Sequence, residues 1–151
     1  MKKISLIGAG GIGGELASLI AFKSIGSICL IDIDEGIAKG KALDLVQSAS
    51  AKNVALDING SCKLSEIKHS DVIVVTAGIS RKPGMSRDDL ISTNVKIINE
   101  IGEAIKEYSK DAFLICITNP LDAMVWVLKK ASGVKKNMIL GMAGVLDSLR
   151  F

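Results

Sequence analysis

The 151-residue sequence predicts a doubly wound α/β domain, a parallel sheet with helices on both faces. Three observations carry that prediction. Short apolar runs alternate with stretches of helical periodicity along the whole chain. The runs are apolar at successive positions, as strands covered on both faces require. The first run leads through a glycine-rich turn directly into a helical pattern, which makes a strand-turn-helix unit. The length is that of one ordinary domain, and no repeat, low-complexity tract or linker divides it. Hydrophobic residues make up 48% of the chain but aromatic ones only 3%, so aliphatic side chains must fill the core.

Each element follows from its own pattern. KISLIG (3–8) predicts the first strand, and Ile12, Leu16, Leu19 and Ile20 then recur at helical spacing. ICLID (28–32) is a second strand; Ala38, Ala42, Leu45, Val46 and Ala49 give a second helix face. NVALDI (53–58) is a weaker third strand and DVIVVTAG (71–78) a strong fourth. Ile91, Val95, Ile98, Ile101 and Ile105 mark a long helix. AFLICITN (112–119) is a fifth strand, broken by Pro120. Leu121, Met124, Val125 and Leu128 form a helix expected to end near Gly133, and NMILGMAG (137–144) is a sixth strand.

Composition narrows the function classes. The net charge is +3 and the lysines are scattered singly, so nucleic-acid binding finds little support. Cys29, Cys62 and Cys116 form no metal-ligand spacing, and two of them fall inside strand-like runs. No metal is expected, and a reducing, cytoplasmic compartment is the simplest expectation. MKKISLIGAGGIGG superficially resembles a signal peptide, but glycines interrupt its apolar run at once. No apolar run approaches the roughly 20 residues that span a bilayer, so no membrane segment is expected.

Gly8-Ala9-Gly10-Gly11-Ile12-Gly13 fits G-x-G-x-x-G. A tight strand-to-helix turn would explain the glycines by itself, but the context asks for more. A strand precedes the motif, a helix follows it, and Asp32 closes the next strand roughly 20 residues on, as in a dinucleotide-binding fingerprint. Gly10 lets backbone approach a pyrophosphate, and Gly13 lets helix and strand pack closely. Unpaired amides at the helix N-terminus attract the negative charge. Asp32 can accept hydrogen bonds from both ribose hydroxyls and would repel a 2′-phosphate. With no arginine near it, NAD is expected over NADP.

Arginine occurs three times, at Arg81, Arg87 and Arg150; the other sixteen of nineteen basic residues are lysines. Two of the three sit in ISRKPGMSRDDL (79–90), just after the fourth strand and so at the edge where doubly wound sheets bind ligands. Pro83-Gly84 favours a turn, Ser86 is placed to cap the next helix, and Asp88 and Asp89 offset Arg87 at its start. One reading is a solvated charged turn. The other rests on the arginine count: guanidinium is preferred where a carboxylate or phosphate is gripped bidentately. Arginines at predicted strand ends suggest a small anion with more than one carboxylate.

GAGGIG, Asp32, TAGISRKPGMSRDDL, ITNPLDAMVW and GMAGVLDSLRF together resemble the NAD-dependent malate dehydrogenases, in particular the bacterial branch that looks like lactate dehydrogenase. The similarity runs along the whole chain. It implies a Rossmann fold with strand order 3-2-1-4-5-6 and an arginine loop that closes over substrate. It implies reversible NAD-dependent oxidation of (S)-malate to oxaloacetate, a step of the tricarboxylic acid cycle. By the same resemblance, Arg81 pairs with the distal carboxylate, where lactate dehydrogenases have glutamine. Arg87 polarises the substrate carbonyl and Arg150 holds the C1 carboxylate. Asn119 touches both substrate and nicotinamide ribose, and its bond to Pro120 is cis in the family. Asn94 and the Ile117-Thr118 backbone are further cofactor contacts. Asp147 orients the catalytic histidine.

That histidine lies in the family's second domain, and family members run to about twice this length. The chain is therefore expected to be the cofactor half, residues 1–151, binding NAD but turning over negligibly alone. His69, before the fourth strand, is not assigned as the acid/base. Apolar surface near residues 144–151 and a second helix that faces a partner subunit in the family predict self-association or lowered stability. The full-length form is expected to be a homo-oligomer, dimer or tetramer. Two other readings stand beside this one: a lactate dehydrogenase, and a stand-alone nucleotide-binding or interaction module without catalysis.

Overall fold

The computed structural model describes residues 1–51, 54–81, 83–144 and 148–150. In chain order they form β1 (Lys3–Ile7), α1 (Gly11–Phe22), β2 (Ser27–Ile31), α2 (Glu35–Ala51), β3 (Ile58–Ser61), β4 (Val72–Val75), α3 (Arg87–Tyr108), β5 (Phe113–Cys116), α4 (Leu121–Ser132) and β6 (Ile139–Gly141). Short 3-10 turns lie at Leu64–Ile67 and Lys136–Met138. The six strands are parallel in the order β3-β2-β1-β4-β5-β6, as the resemblance implied. A parallel sheet needs a crossover after each strand, and the alternating helices supply them on both faces.

Two aliphatic cores lie on either side of the sheet. On one face Ile73, Val75 and Leu114 meet Ile98 and Ile105 of α3 and Leu128 of α4. On the other, Leu6, Leu30 and Val74 meet Ala17 and Ile20 of α1 and Leu45 of α2. Gly133 closes α4 in the left-handed conformation, where the helix was expected to end.

Two expectations need correction. The third strand is Ile58–Ser61, beyond NVALDI: only its last residue enters the ladder, opposite Ile28. Val54 instead turns back to donate to the Ala49 carbonyl at the end of α2 (2.9 Å), so that stretch is connection rather than strand. The fourth, fifth and sixth runs overshoot their strands. Thr76 and Ala77 both donate to the Ile7 carbonyl (2.9 and 2.8 Å), which ends the one-to-one ladder and turns the chain outward.

In α1 the periodic stripe of Ile12, Leu16, Leu19 and Ile20 is packed only in part. The helix buries Gly13, Ala17, Ile20 and Ala21, while Ile12 and Leu19 are 60% and 48% exposed. Small residues pack inward because the helix start approaches β1 closely at Gly13. The larger stripe turns to the half of this sheet face that α1 and α2 do not cover. There Ile12, Leu16, Leu19, Val72, Ile115 and Ile117 line an open apolar groove of about 800 Å³. On α2, likewise, Val46 stands half out while Ala38, Ala42, Leu45 and Ala49 are buried.

Candidate dinucleotide and substrate site

The parallel register brings the ends of β1, β2, β4 and β5 to one edge of the sheet, and the sequence motifs collect there. Between β1 and α1 the chain turns within three residues. The Gly8 amide donates to the Ile31 carbonyl (2.7 Å), which ties the loop to the end of β2. A Cβ at Gly13 would fall on the Gly8 carbonyl oxygen, so only glycine allows the turn to be this tight. Beside Gly10 and Gly11 there is open space, and Gly10, which precedes α1 as its N-cap, offers no side-chain cap. Its first amides are left for a ligand, and the helix dipole favours an anionic one.

Asp32 follows β2 and is fixed to the loop it faces. Its Oδ2 accepts from the Ala9 amide at 2.7 Å and its Oδ1 from the Asp34 amide at 3.1 Å. A carboxylate has about four lone-pair sites, so two bonds orient it and still leave acceptor capacity. Glycine loop and acid line a cleft of about 630 Å³ that continues past Thr76 to Ile79 and Ser80. A loop without caps, an oriented acid and a cleft of this size fit an NAD molecule.

Two contributors to this edge were not recognised in the sequence. Thr76 donates its hydroxyl to the Gly8 carbonyl (3.1 Å), holding the end of β4 against the loop. Lys41 reaches from α2 to donate to the Gly10 carbonyl at 2.8 Å. Ile33 and Cys62 also line the cleft, and Ile33 is 100% exposed. An isoleucine left in water directly after the strand-end acid was a readable signal. Thr76 and Lys41 left none, because their partners are backbone atoms distant in sequence.

The arginine segment is organised differently. Ser86 caps α3: its Oγ accepts from the Asp89 amide (3.0 Å), and Asp89 answers by accepting from the Ser86 amide (3.2 Å) and hydroxyl (2.6 Å). Those bonds, the hydroxyl first and then the amide, pull the Asp89 carboxyl below its ordinary range. Arg81 crosses the Pro83-Gly84 turn to donate its Nε to the Met85 carbonyl (2.9 Å). Arg87 is the first residue of α3 and Arg150 lies near the far end of the chain; both are exposed, as is Arg81. None of the three lines the cleft.

Asn119 begins the turn after β5, and its bond to Pro120 is cis. Thr118 is buried and gives its hydroxyl to the Ala77 carbonyl (2.7 Å). Asn94 is buried too, with its amide bonded to Ile79 and Asn119 rather than opening on the cleft. Asp147 lies outside the described residues. His69 is exposed with φ +62°, in the turn leading into β4 and so at the opposite edge of the sheet. Burial raises the thiols of Cys29 and Cys116, which are free, as is exposed Cys62. Among the described residues no group of three or more metal-ligating side chains comes together, and no helix is long and apolar enough to cross a membrane.

Fold and site together define a dinucleotide-binding domain of the doubly wound class. Residues 2–141 match the family described as lactate/malate dehydrogenase, NAD binding domain, and the chain belongs to that family. Its cofactor is NAD. The chain is 56% identical, over 150 residues, to the malate dehydrogenase of Francisella philomiragia, covering 99% of this chain and 47% of that protein. It superposes on the apo malate dehydrogenase of Picrophilus torridus with a TM-score of 0.93 at 48% identity, over 97% of this chain and 47% of the other. A lactate dehydrogenase from Eimeria maxima, solved with NADH and oxamate, gives a TM-score of 0.91 at 43% identity, over 97% and 44%. The chain thus spans about half the length of the relatives it matches.

Proposed function

We propose that this chain is the cofactor half of an NAD-dependent malate dehydrogenase, the whole protein interconverting (S)-malate and oxaloacetate as in the tricarboxylic acid cycle. The bound nicotinamide supplies the acceptor and donor of hydride. The chain's own residues do the rest. Gly10, Gly11 and Ile12 offer amides to the pyrophosphate at the start of α1, with Gly8, Ala9 and Gly13 shaping the turn. Asp32 accepts from the adenosine ribose and rejects a 2′-phosphate. Ile117, Thr118 and Asn119 border the nicotinamide side, and Asn119 also meets substrate. Arg87 stabilises charge developing on the C2 oxygen, an effect typically worth a few kcal/mol of barrier. Arg150 holds the C1 carboxylate. Asp147 orients a histidine contributed by the second half of the protein, and that histidine moves the hydroxyl proton.

The observation that carries the choice of malate is Arg81. Its Nε is occupied by the Met85 carbonyl, while its terminal nitrogens bond no described residue and stand free for a second carboxylate. Pyruvate offers only a methyl group there, which would leave the guanidinium unpaired in a closed site. The lactate dehydrogenase reading keeps one observation in its favour, the 43% identity to a protein of that activity. Comparing oxaloacetate with pyruvate in the full-length enzyme, with and without Arg81→Gln, decides between them. A variant that retained its oxaloacetate preference would contradict the role given to Arg81. The stand-alone module predicts a native species of 15.9 kDa by mass spectrometry, where the dehydrogenase predicts one about twice as heavy. We place the protein in the cytoplasm, as a homodimer or homotetramer at full length.

A further inference from the structure

Lys41 and Gly14 belong to no part of the dinucleotide fingerprint, yet they meet beside the glycine loop. Lys41 stands on α2, and its Nζ donates to the Gly10 carbonyl at 2.8 Å. Gly14 lies in the first turn of α1, where glycine favours helix less than any residue but proline. The lysine accounts for it. A Cβ at Gly14 would stand 2.6 Å from Lys41 Nζ and 3.1 Å from its Cδ. The ammonium is the far end of a flexible side chain, so an alanine would fit by pushing it off the carbonyl. Bare backbone at Gly14 is the seat across which Lys41 reaches from one helix to the other.

The peptide unit that Lys41 holds has two ends. Its carbonyl, that of Gly10, accepts from Lys41 and, at 3.0 Å, from the Gly14 amide. Its N–H, that of Gly11, is the first of α1 and has no intrahelical acceptor. The Gly10-Gly11 bond is trans, so the N–H points away from the C=O. Gly10 and Gly11 line the cleft, and Lys41 does not. A Cβ at either glycine would meet nothing within 4 Å, so packing does not fix how this peptide is rotated. A charged donor on the carbonyl supplies that restraint. It also polarises the unit, which makes the opposite N–H a stronger donor.

We propose that Lys41 is a positioning residue for the cofactor: seated on Gly14, it aims the Gly11 amide at the pyrophosphate by holding the carbonyl of the same peptide. This deepens the dinucleotide reading and rests on it for the ligand of that amide.

The test uses the full-length protein. NADH binding is followed by fluorescence, with ADP-ribose and adenosine as competitors. Lys41→Met keeps the stem and removes the ammonium. It should weaken NADH and ADP-ribose about tenfold, the lower end of what a hydrogen bond to a charged group is worth, and leave adenosine, which has no phosphate, unaffected. The KM for NADH should rise with its dissociation constant, while kcat at saturating NADH holds. Lys41→Arg can still donate to the carbonyl and should recover most of the loss. Gly14→Ala keeps the lysine but removes its seat. It should reproduce the Lys41→Met loss, and the double variant should lose no more than either alone. In amide correlation spectra the Gly11 resonance should move in Lys41→Met, because the preceding carbonyl has lost its donor. Unchanged NADH affinity in Lys41→Met would overturn the proposal. Equal losses for NADH and adenosine would overturn it too, since they would mean a general loosening of the fold. A loss in Lys41→Met that Gly14→Ala did not share would make Lys41 a direct phosphate ligand, against the proposal. Should Lys41→Met not fold, Gly14→Ala, a change that favours helix, carries the same comparison. Failure of the unmodified protein to bind NADH would defeat the dinucleotide reading and the ligand named here, while a displaced Gly11 resonance in Lys41→Met would still support the hold on the peptide.

Discussion

The glycine loop and the arginine segment share one sheet edge but are built on opposite principles. Around Gly8–Gly13 the chain itself forms a wall of the cleft. Its shape is enforced by a missing Cβ at Gly13, by two amides on Asp32 and by side chains reaching in from β4 and α2. In residues 79–87 the ends are held by Asn94 and by the Ser86–Asp89 box and a single bond from Arg81 spans the turn between them, while the side chains of Arg81 and Arg87 are exposed. A dinucleotide with a fixed pyrophosphate geometry rewards a preformed cradle. A small anion that must be enclosed rewards a segment whose side chains can be brought to it.

If that contrast is right, the largest effect belongs to Gly13→Ala. The new methyl group would fall on the Gly8 carbonyl oxygen, backbone on one side and helix on the other, so α1 must withdraw from β1. Forced overpacking of this kind typically costs about 1–3 kcal/mol or more. Urea unfolding should show that loss, and NADH binding should fall below detection. A well-folded variant with unaltered NADH affinity would break the picture of an enforced cradle.

Asp32→Ala comes next. It removes an acceptor that two backbone amides orient, yet it leaves the turn intact. Losing charged hydrogen bonds to the ribose should cost roughly 1.5–3 kcal/mol, about tenfold to a hundredfold in NADH affinity. The NADPH constant should improve relative to it, because the repulsion of a 2′-phosphate disappears. Parallel titrations with the two nucleotides measure the ratio, and an unchanged preference would move specificity away from Asp32.

Much of this was legible in the sequence, and the parts that were not have a common cause. Strand order, helix succession, the turn at Gly8–Gly13, the acid at Asp32 and the cap at Ser86 are local patterns or follow from a family resemblance. Which face of α1 packs is not legible because the sequence holds two stripes. The bulky one, Ile12, Leu16, Leu19 and Ile20, is the stronger periodic signal, but of it only Ile20 is buried, and the small one, Gly13, Ala17 and Ala21, satisfies the close approach to β1. NVALDI has the pattern of a strand, but short apolar runs do not reveal which residues enter the ladder. Asn94 did leave a trace. It is a polar residue within the apolar stripe of α3, three residues after Ile91 and four before Ile98, and a buried polar group implies bonded partners. Which partners it has depends on bringing residues 79 and 119 together, and spacing does not encode that.

Ser86→Ala and Arg81→Gln probe the other side of the comparison at smaller scale. Removing the cap should cost about 1 kcal/mol, as for exposed N-caps generally, because the Asp89 amide loses its acceptor. Arg81→Gln should change stability by no more than about 0.5 kcal/mol, the usual range for surface positions, and should leave NADH affinity in the isolated chain unchanged. Equal losses of stability from Arg81→Gln and Gly13→Ala, read from the same urea curves, would erase the distinction between cradle and segment.

The smallest effect is one of pH, and it lies in the cap. The Asp89 carboxyl is held below its ordinary value of 3.8 by the Ser86 hydroxyl and then by the Ser86 amide. A carboxylate whose folded value is depressed stabilises the folded state fully above its unfolded value and loses that contribution as pH falls through the folded one. Asp89 is exposed, so solvent screens the effect and a small thermal shift is expected. Asp89→Asn keeps the size but weakens the acceptor. Its melting temperature should lie below that of the unmodified chain at pH 6 and should converge on it as pH drops below 3.8. A gap that stayed constant down to strong acid would mean that Asp89 acts through shape alone, and that the segment's C-terminal anchor owes nothing to charge.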